Sequence, residues 1–154
     1  MRVSKMLLPL AAMFAAAVMC FAADVNIGSW KLNDAKSKVS PGAAKNNTVV
    51  IAPAGDSVKV TVNGIGADGK PSHNEWTGKF DGKDYAITGD PVSDMRAYKP
   101  VNDHTLDLTE KKGGKNTTTG RIVISADGKT RTVTATRTDA DGKKTSFTYF
   151  YDKQ

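Results

Sequence analysis

The tripeptide Asp-Gly-Lys occurs four times, at Asp68-Gly69-Lys70, Asp81-Gly82-Lys83, Asp127-Gly128-Lys129 and Asp141-Gly142-Lys143. Asp-Gly between alternating apolar runs is a strong short-range hairpin signal. A tight reversal needs positive φ, which glycine adopts freely and aspartate tolerates while bonding its own backbone. A lysine after the turn is solvated and discourages edge pairing. The recurrence therefore reads as architecture and not as a binding motif.

The flanking segments agree. In "SVKVTVNGIG" Val58, Val60 and Val62 share one face, and Lys59, Thr61 and Asn63 the other. "NEWTGKF" places Asn74, Trp76, Gly78 and Phe80 on one side. "GRIVISA" enters Asp127-Gly128, "TRTVTATRT" leaves it, and "TSFTYFY" follows Asp141-Gly142. Further turns are signalled at Ala54-Gly55-Asp56, Asn102-Asp103 and Gly113-Gly114. Turn signals every ~8–12 residues mark an all-β barrel or sandwich. Hairpins supply nearly every connection, so the expected fold is all-β: an antiparallel up-and-down meander of about ten strands closing into a barrel, which removes its edges. The one long connection, "DAKSKVSPGAAKNN", has room for a single helical turn over Asp34–Lys38, stopped by Pro41-Gly42.

Residues 1–22 are expected to be a signal peptide. Arg2 and Lys5 precede an uncharged apolar run from Met6 to Ala23, and cleavage is expected after Ala22 or Ala23. An uncleaved anchor is the alternative, because the run approaches the lower length limit of a membrane span. With the leader removed, residues 23–154 form one β-barrel domain, exported to a periplasmic or extracellular location and without stable membrane insertion. The only cysteine, Cys20, lies in the leader, so the mature domain has no thiol and no disulfide. Loss of Arg2 and Lys5 leaves 20 basic against 16 acidic residues, and the net charge falls from +6 to +4. The charges are interspersed and no basic cluster carries stacking aromatics, so no nucleic-acid partner is expected.

The residues form no recognisable reaction centre. His73 and His104 fall in separate candidate strands, and neither His-Glu-x-x-His nor Gly-x-Ser-x-Gly occurs. "DADG" at Asp139–Gly142 lacks the glutamate that ends a calcium loop, and a lysine follows it. The expectation is a non-enzyme with no metal and no cofactor.

The opening "IGSWKLNDAKSK" carries Gly28-Ser29-Trp30, which resembles the first strand of lipocalins and fatty-acid-binding proteins, the calycin group. Residues 28–154 also resemble small exported bacterial proteins. Those open Gly-Thr-Trp-Lys-Leu-Asn, continue with Ala-Lys-Ser-Lys and Pro-Gly, and repeat Asp-Gly-Lys. The calycin resemblance implies a small apolar guest inside the barrel and a barrel-closing Trp30 packed under an arginine, with Arg131 or Arg137 as candidates. It also implies a carboxylate clamp on the last strand. Tyr151 matches the clamp tyrosine, but Tyr149 stands where that family has arginine. The expected function is non-covalent binding of a small hydrophobic or amphipathic molecule by a monomeric chain. Expected contacts are Trp76, Phe80, Tyr98, Tyr149 and Tyr151, with Arg96 or Arg137 meeting an acidic head group. A drug-sized guest asks for a cavity above roughly 300 Å³. The alternative is a filled-core structural or adhesive envelope module whose basic surface contacts an anionic polymer.

Overall fold

Ten strands follow in sequence order, joined by short connections except after β1: β1 (Gly28–Leu32), β2 (Lys45–Ala54), β3 (Ser57–Ile65), β4 (Pro71–Gly78), β5 (Tyr85–Thr88), β6 (Met95–Asn102), β7 (Thr105–Lys112), β8 (Lys115–Ile124), β9 (Thr130–Thr138) and β10 (Lys144–Lys153). Each pairs antiparallel with its neighbours, and β1 pairs with β10 to close the barrel. This is the expected meander. The computed structural model describes residues 25–154; the expected leader and Cys20 lie outside the described residues.

Three of the four Asp-Gly-Lys sites are hairpin turns. At the turn between β8 and β9, Gly128 N donates to Ser125 O at 2.9 Å and Ser125 N to Thr130 O at 3.0 Å. The turns between β3 and β4 and between β9 and β10 close one residue tighter, with Gly66 N on Lys70 O at 2.8 Å and Asp139 N on Lys143 O at 3.0 Å. Asp81-Gly82-Lys83 instead lies within the longer crossing between β4 and β5. The aspartate works differently from the expectation. Among the described residues only glycines have positive φ, Gly128 at 70° for example. Asp127 keeps an ordinary conformation, and its carboxylate accepts a bond from Lys129 N at 3.0 Å. Four residues, Ala126 to Lys129, form this hairpin loop, with glycine in the left-handed position.

Alternation sets the barrel interior. Val58, Val60 and Val62 on β3 lie opposite Gly78, Trp76 and Asn74 on β4. On β9 the buried positions are Arg131, Val133 and Ala135, so the threonines form the outer row. The long connection after β1 makes one tight turn, Ser37 N to Asn33 O at 3.1 Å, and then returns to the sheet through a bridge between Lys38 and Thr148. His104 belongs to the turn between β6 and β7, not to a strand, because the reversal there falls at Asp103-His104.

A Cβ at Gly128 would meet nothing within 4 Å, so Gly128→Ala tests the backbone alone. It should destabilise by about 1–2 kcal/mol, the cost of holding an L-residue left-handed, and Gly128→Asn by less. Urea unfolding of the two variants measures this.

Candidate functional site

One end of the barrel is filled. Trp30 and Trp76 are each 1% exposed. Trp76 donates from Nε1 to Arg96 O at 2.9 Å. Its ring stacks on Phe80 and meets Tyr85 and Tyr98 edge-on, with centroids 4.8 Å apart for Tyr98. Such pairs each add about 0.5–1.5 kcal/mol beyond area burial. Trp30 donates from Nε1 to Asn26 O at 2.8 Å. The cation over its ring is Lys153, with Nζ 5.0 Å from the centroid, and neither Arg131 nor Arg137. Lys153 lies opposite Trp30 in the register. The missing side chain at Gly28 makes room for the lysine stem, since a Cβ there would sit 2.7 Å from Lys153 Cε. In this chain Gly-x-Trp is a slot for a lysine.

The other half encloses a cavity of about 200 Å³. Its apolar wall includes Val49, Val60, Val62, Leu108, Ile122 and Val133. Its mouth lies among Ala44, Gly66-Ala67 and Gly89–Val92, at the end carrying the connections after β1, β3 and β5. Tyr149 closes part of that end by donating its hydroxyl to Ala44 O at 2.6 Å.

A polar belt crosses the wall. The register places Arg96, Glu110, Thr118 and Arg137 side by side on β6, β7, β8 and β9. Arg96 donates from Nε to Glu110 Oε1 at 2.8 Å, and its Nη2 lies 2.6 Å from the same oxygen. Arg137 donates from Nε to Thr118 Oγ1 at 3.4 Å and stands 3.9 Å from Glu110 Oε2. Asp90 Oδ2 lies 4.0 Å from Arg96 Nη2. Burial alone would push the Glu110 carboxyl up, but Arg96, Thr118 and Arg137 together hold it below the ordinary carboxylate range. Burial likewise opposes the Arg96 charge and is outweighed by Tyr98, Glu110 and Asp90, so its pKa is raised.

Arg131 is different. It is 4% exposed and lines the cavity, and its Nε is buried without a hydrogen-bond partner. Among the described residues its one close partner is the Tyr151 ring, 5.6 Å from Cζ. Burial lowers its pKa, with Tyr98 and Tyr151 acting in the opposite sense. Burial pushes the Tyr151 hydroxyl up.

Of the residues singled out in the sequence, Arg96, Tyr98, Arg137, Tyr149 and Tyr151 line the cavity. Trp76 and Phe80 do not. They lie deeper, in the aromatic cluster of the filled half, because strand alternation gives a residue's face and not its depth. Glu110 and Arg131 also line the cavity and fall outside the contacts expected from the sequence. Both were within reach of alternation, since Glu110 shares a face with Leu106 and Leu108, and Arg131 with Val133. Arg121 points outward and donates to Asp107 at 2.8 Å. His73 and Glu75 approach to 3.6 Å on the exposed outer surface.

This architecture is similar to that of solved β-barrels. A redesigned beta barrel superposes with a TM-score of 0.50 at 16% identity, covering 88% of this chain and 97% of its own. The structure titled EF1p2_mFAP2b bound to DFHBI superposes with a TM-score of 0.51 at 13% identity, covering 87% and 98%. At these identities the likeness is one of fold. No protein-family model and no curated protein matches the chain.

Removing the Glu110 charge strands Arg96 in the interior. Glu110→Gln should destabilise by about 3–5 kcal/mol, the usual cost of breaking a buried pair from one side. The folded Glu110 pKa lies below the unfolded value of about 4.3. Its contribution is therefore complete above that pH and is lost as pH falls through the folded value. Unfolding midpoints measured between pH 7 and pH 3 should show a steeper acid loss for the wild type than for Glu110→Gln.

Proposed function

We propose that this chain is an exported binding protein that holds a small hydrophobic or amphipathic molecule, non-covalently, in the open half of its barrel. The observation that carries this reading is the cavity of about 200 Å³, lined by aliphatic side chains with tyrosine and arginine side chains set among them. An apolar wall with a few placed polar groups is the ordinary make-up of a small-molecule site. The volume sets the size of guest. A cavity of about 150 Å³ takes benzene, so a single ring or a short chain fits here and a long-chain lipid does not. A ring-sized guest burying roughly 150–200 Å² gains about 4–5 kcal/mol before the cost of association. The apolar run Met6–Ala23 supports placing this activity outside the cytoplasm.

The small volume also favours a second reading, the filled-core envelope module whose basic surface meets an anionic polymer. The two readings separate on occupancy. Val62 and Val133 line the cavity from β3 and β9. Toluene should shift amide resonances of cavity-lining residues in the wild type. Val62→Phe or Val133→Phe, each filling the space while keeping the fold, should weaken that binding at least tenfold. Native mass spectrometry of protein from the exporting host should show a bound small molecule. Bare protein, together with silence to toluene and to every other ring-sized probe, would leave the envelope module as the better account.

A further inference from the structure

Three arginines face the lumen, and their situations differ. Arg96 is fully engaged, with Nε and Nη2 on Glu110. Arg137 is about one-third exposed and rests on Thr118 near the second Glu110 oxygen. Arg131 is as deeply buried as Arg96, yet its guanidinium makes no hydrogen bond and no ion pair among the described residues. Arginine does not shed its proton at any ordinary pH. A buried, unpaired charge is one of the costliest features a fold can carry. It belongs in an interior when a partner arrives from outside.

The surroundings specify that partner. Glu110 and Asp90 are the carboxylates that line the cavity, and both lie on the Arg96 side. Against three guanidinium groups they leave one positive charge in excess. Tyr151 lies directly opposite Arg131 in the register between β9 and β10. Its hydroxyl has no hydrogen bond among the described residues and can donate one. Tyr98 also lines the cavity; its hydroxyl accepts from Arg96 Nη1 at 3.5 Å and keeps its own proton to donate. The groups gathered here are donors, so the subsite suits an anion and repels a cation.

We propose that Arg131 is the anion receptor of the lumen and that the guest is a small monoanion, a single-ring or short-chain carboxylate whose charged end pairs with Arg131 while its apolar part lies against Val60, Val62 and Val133. This rests on the reading that the lumen holds a guest, and it fixes the chemical class of that guest. The guanidinium is planar and its N–H fork matches a carboxylate edge. One surplus positive charge matches one negative charge, and about 200 Å³ limits the apolar part to roughly a ring. It also transfers the head-group role from Arg96 and Arg137, which hold Glu110 in place, to the arginine with nothing else to hold.

Three probes of similar shape test this on the full chain: benzoate, its neutral isostere benzamide, and toluene. By calorimetry or chemical-shift titration, benzoate should bind the wild type at least tenfold more tightly than benzamide. Arg131→Met should abolish that preference, leave toluene binding within about twofold, and unfold at a higher urea concentration than the wild type because the unpaired charge is gone. Equal affinity for benzoate and benzamide in the wild type, with toluene still bound, overturns the proposal and leaves the binding reading standing. No binding of any probe removes both. A benzoate preference that survives in Arg131→Met assigns the anion to another residue and also overturns the proposal. Should that variant fail to fold, the wild type decides: saturating benzoate should move the Arg131 ¹⁵Nε resonance, and an unmoved resonance is a refutation.

Discussion

The interior is organised around the Glu110 carboxylate. A single buried anion fixes the row that runs from β6 to β9, because Arg96, Thr118 and Arg137 are its register neighbours and all turn toward it. In a medium of low dielectric such a row has little freedom to slip. A shift of one residue would send each of these side chains to the outer face and leave a charge in the core without compensation. The belt therefore does two things at once. It pins four strands against sliding, and it lines the mouth side of the chamber with polar groups, close to the turn that joins β7 to β8.

Much of this was legible in the chain. Gly69, Gly128 and Gly142 announced their hairpins, since turn chemistry acts over three or four residues. Alternation placed Val58, Val60 and Val62 on the inner face for the same reason: strand period is a local property. The aspartate of each turn was assigned a strained role it does not have. At Asp68 and Asp127 the carboxylate supports the loop from a relaxed backbone, in the turn between β9 and β10 the preceding Asp139 does so, and glycine alone takes the left-handed position. Quantities that depend on strand tilt were out of reach. The sequence puts Trp76 and Arg131 on interior faces but does not say at what height. In a barrel, height is decided by the stagger of ten registers taken together. That stagger brings Lys153 over Trp30 in place of either arginine, buries Trp76 and Phe80 below the chamber, and separates Arg131 from any carboxylate.

The connection between β1 and β2 shows how local and global constraints meet. One helical turn was expected over Asp34–Lys38. A single turn forms at Asn33–Ser37, and by Lys38 the chain is already bonded to Thr148 on β10. The segment is recruited as an extension of the closing seam, which would otherwise rest on the pairing of Trp30, Lys31 and Leu32 with Lys153, Asp152 and Tyr151. Those residues are about as far apart in sequence as the domain allows, so closure has to wait for the intervening hairpins. Folds dominated by such long-range pairing form slowly.

The same seam brings the first and last strands into register, with Gln154 N bonded to Ser29 O at 2.9 Å. The beginning and end of the folded domain are thus near neighbours on one rim, bridged by a short tether if one is supplied. The two-residue reversal at Gly113-Gly114, on the opposite rim, is the natural place to open the ring instead. The cylinder is accordingly a candidate for circular permutation, in which the order of strands along the chain is rewritten while every pairing around the wall is kept.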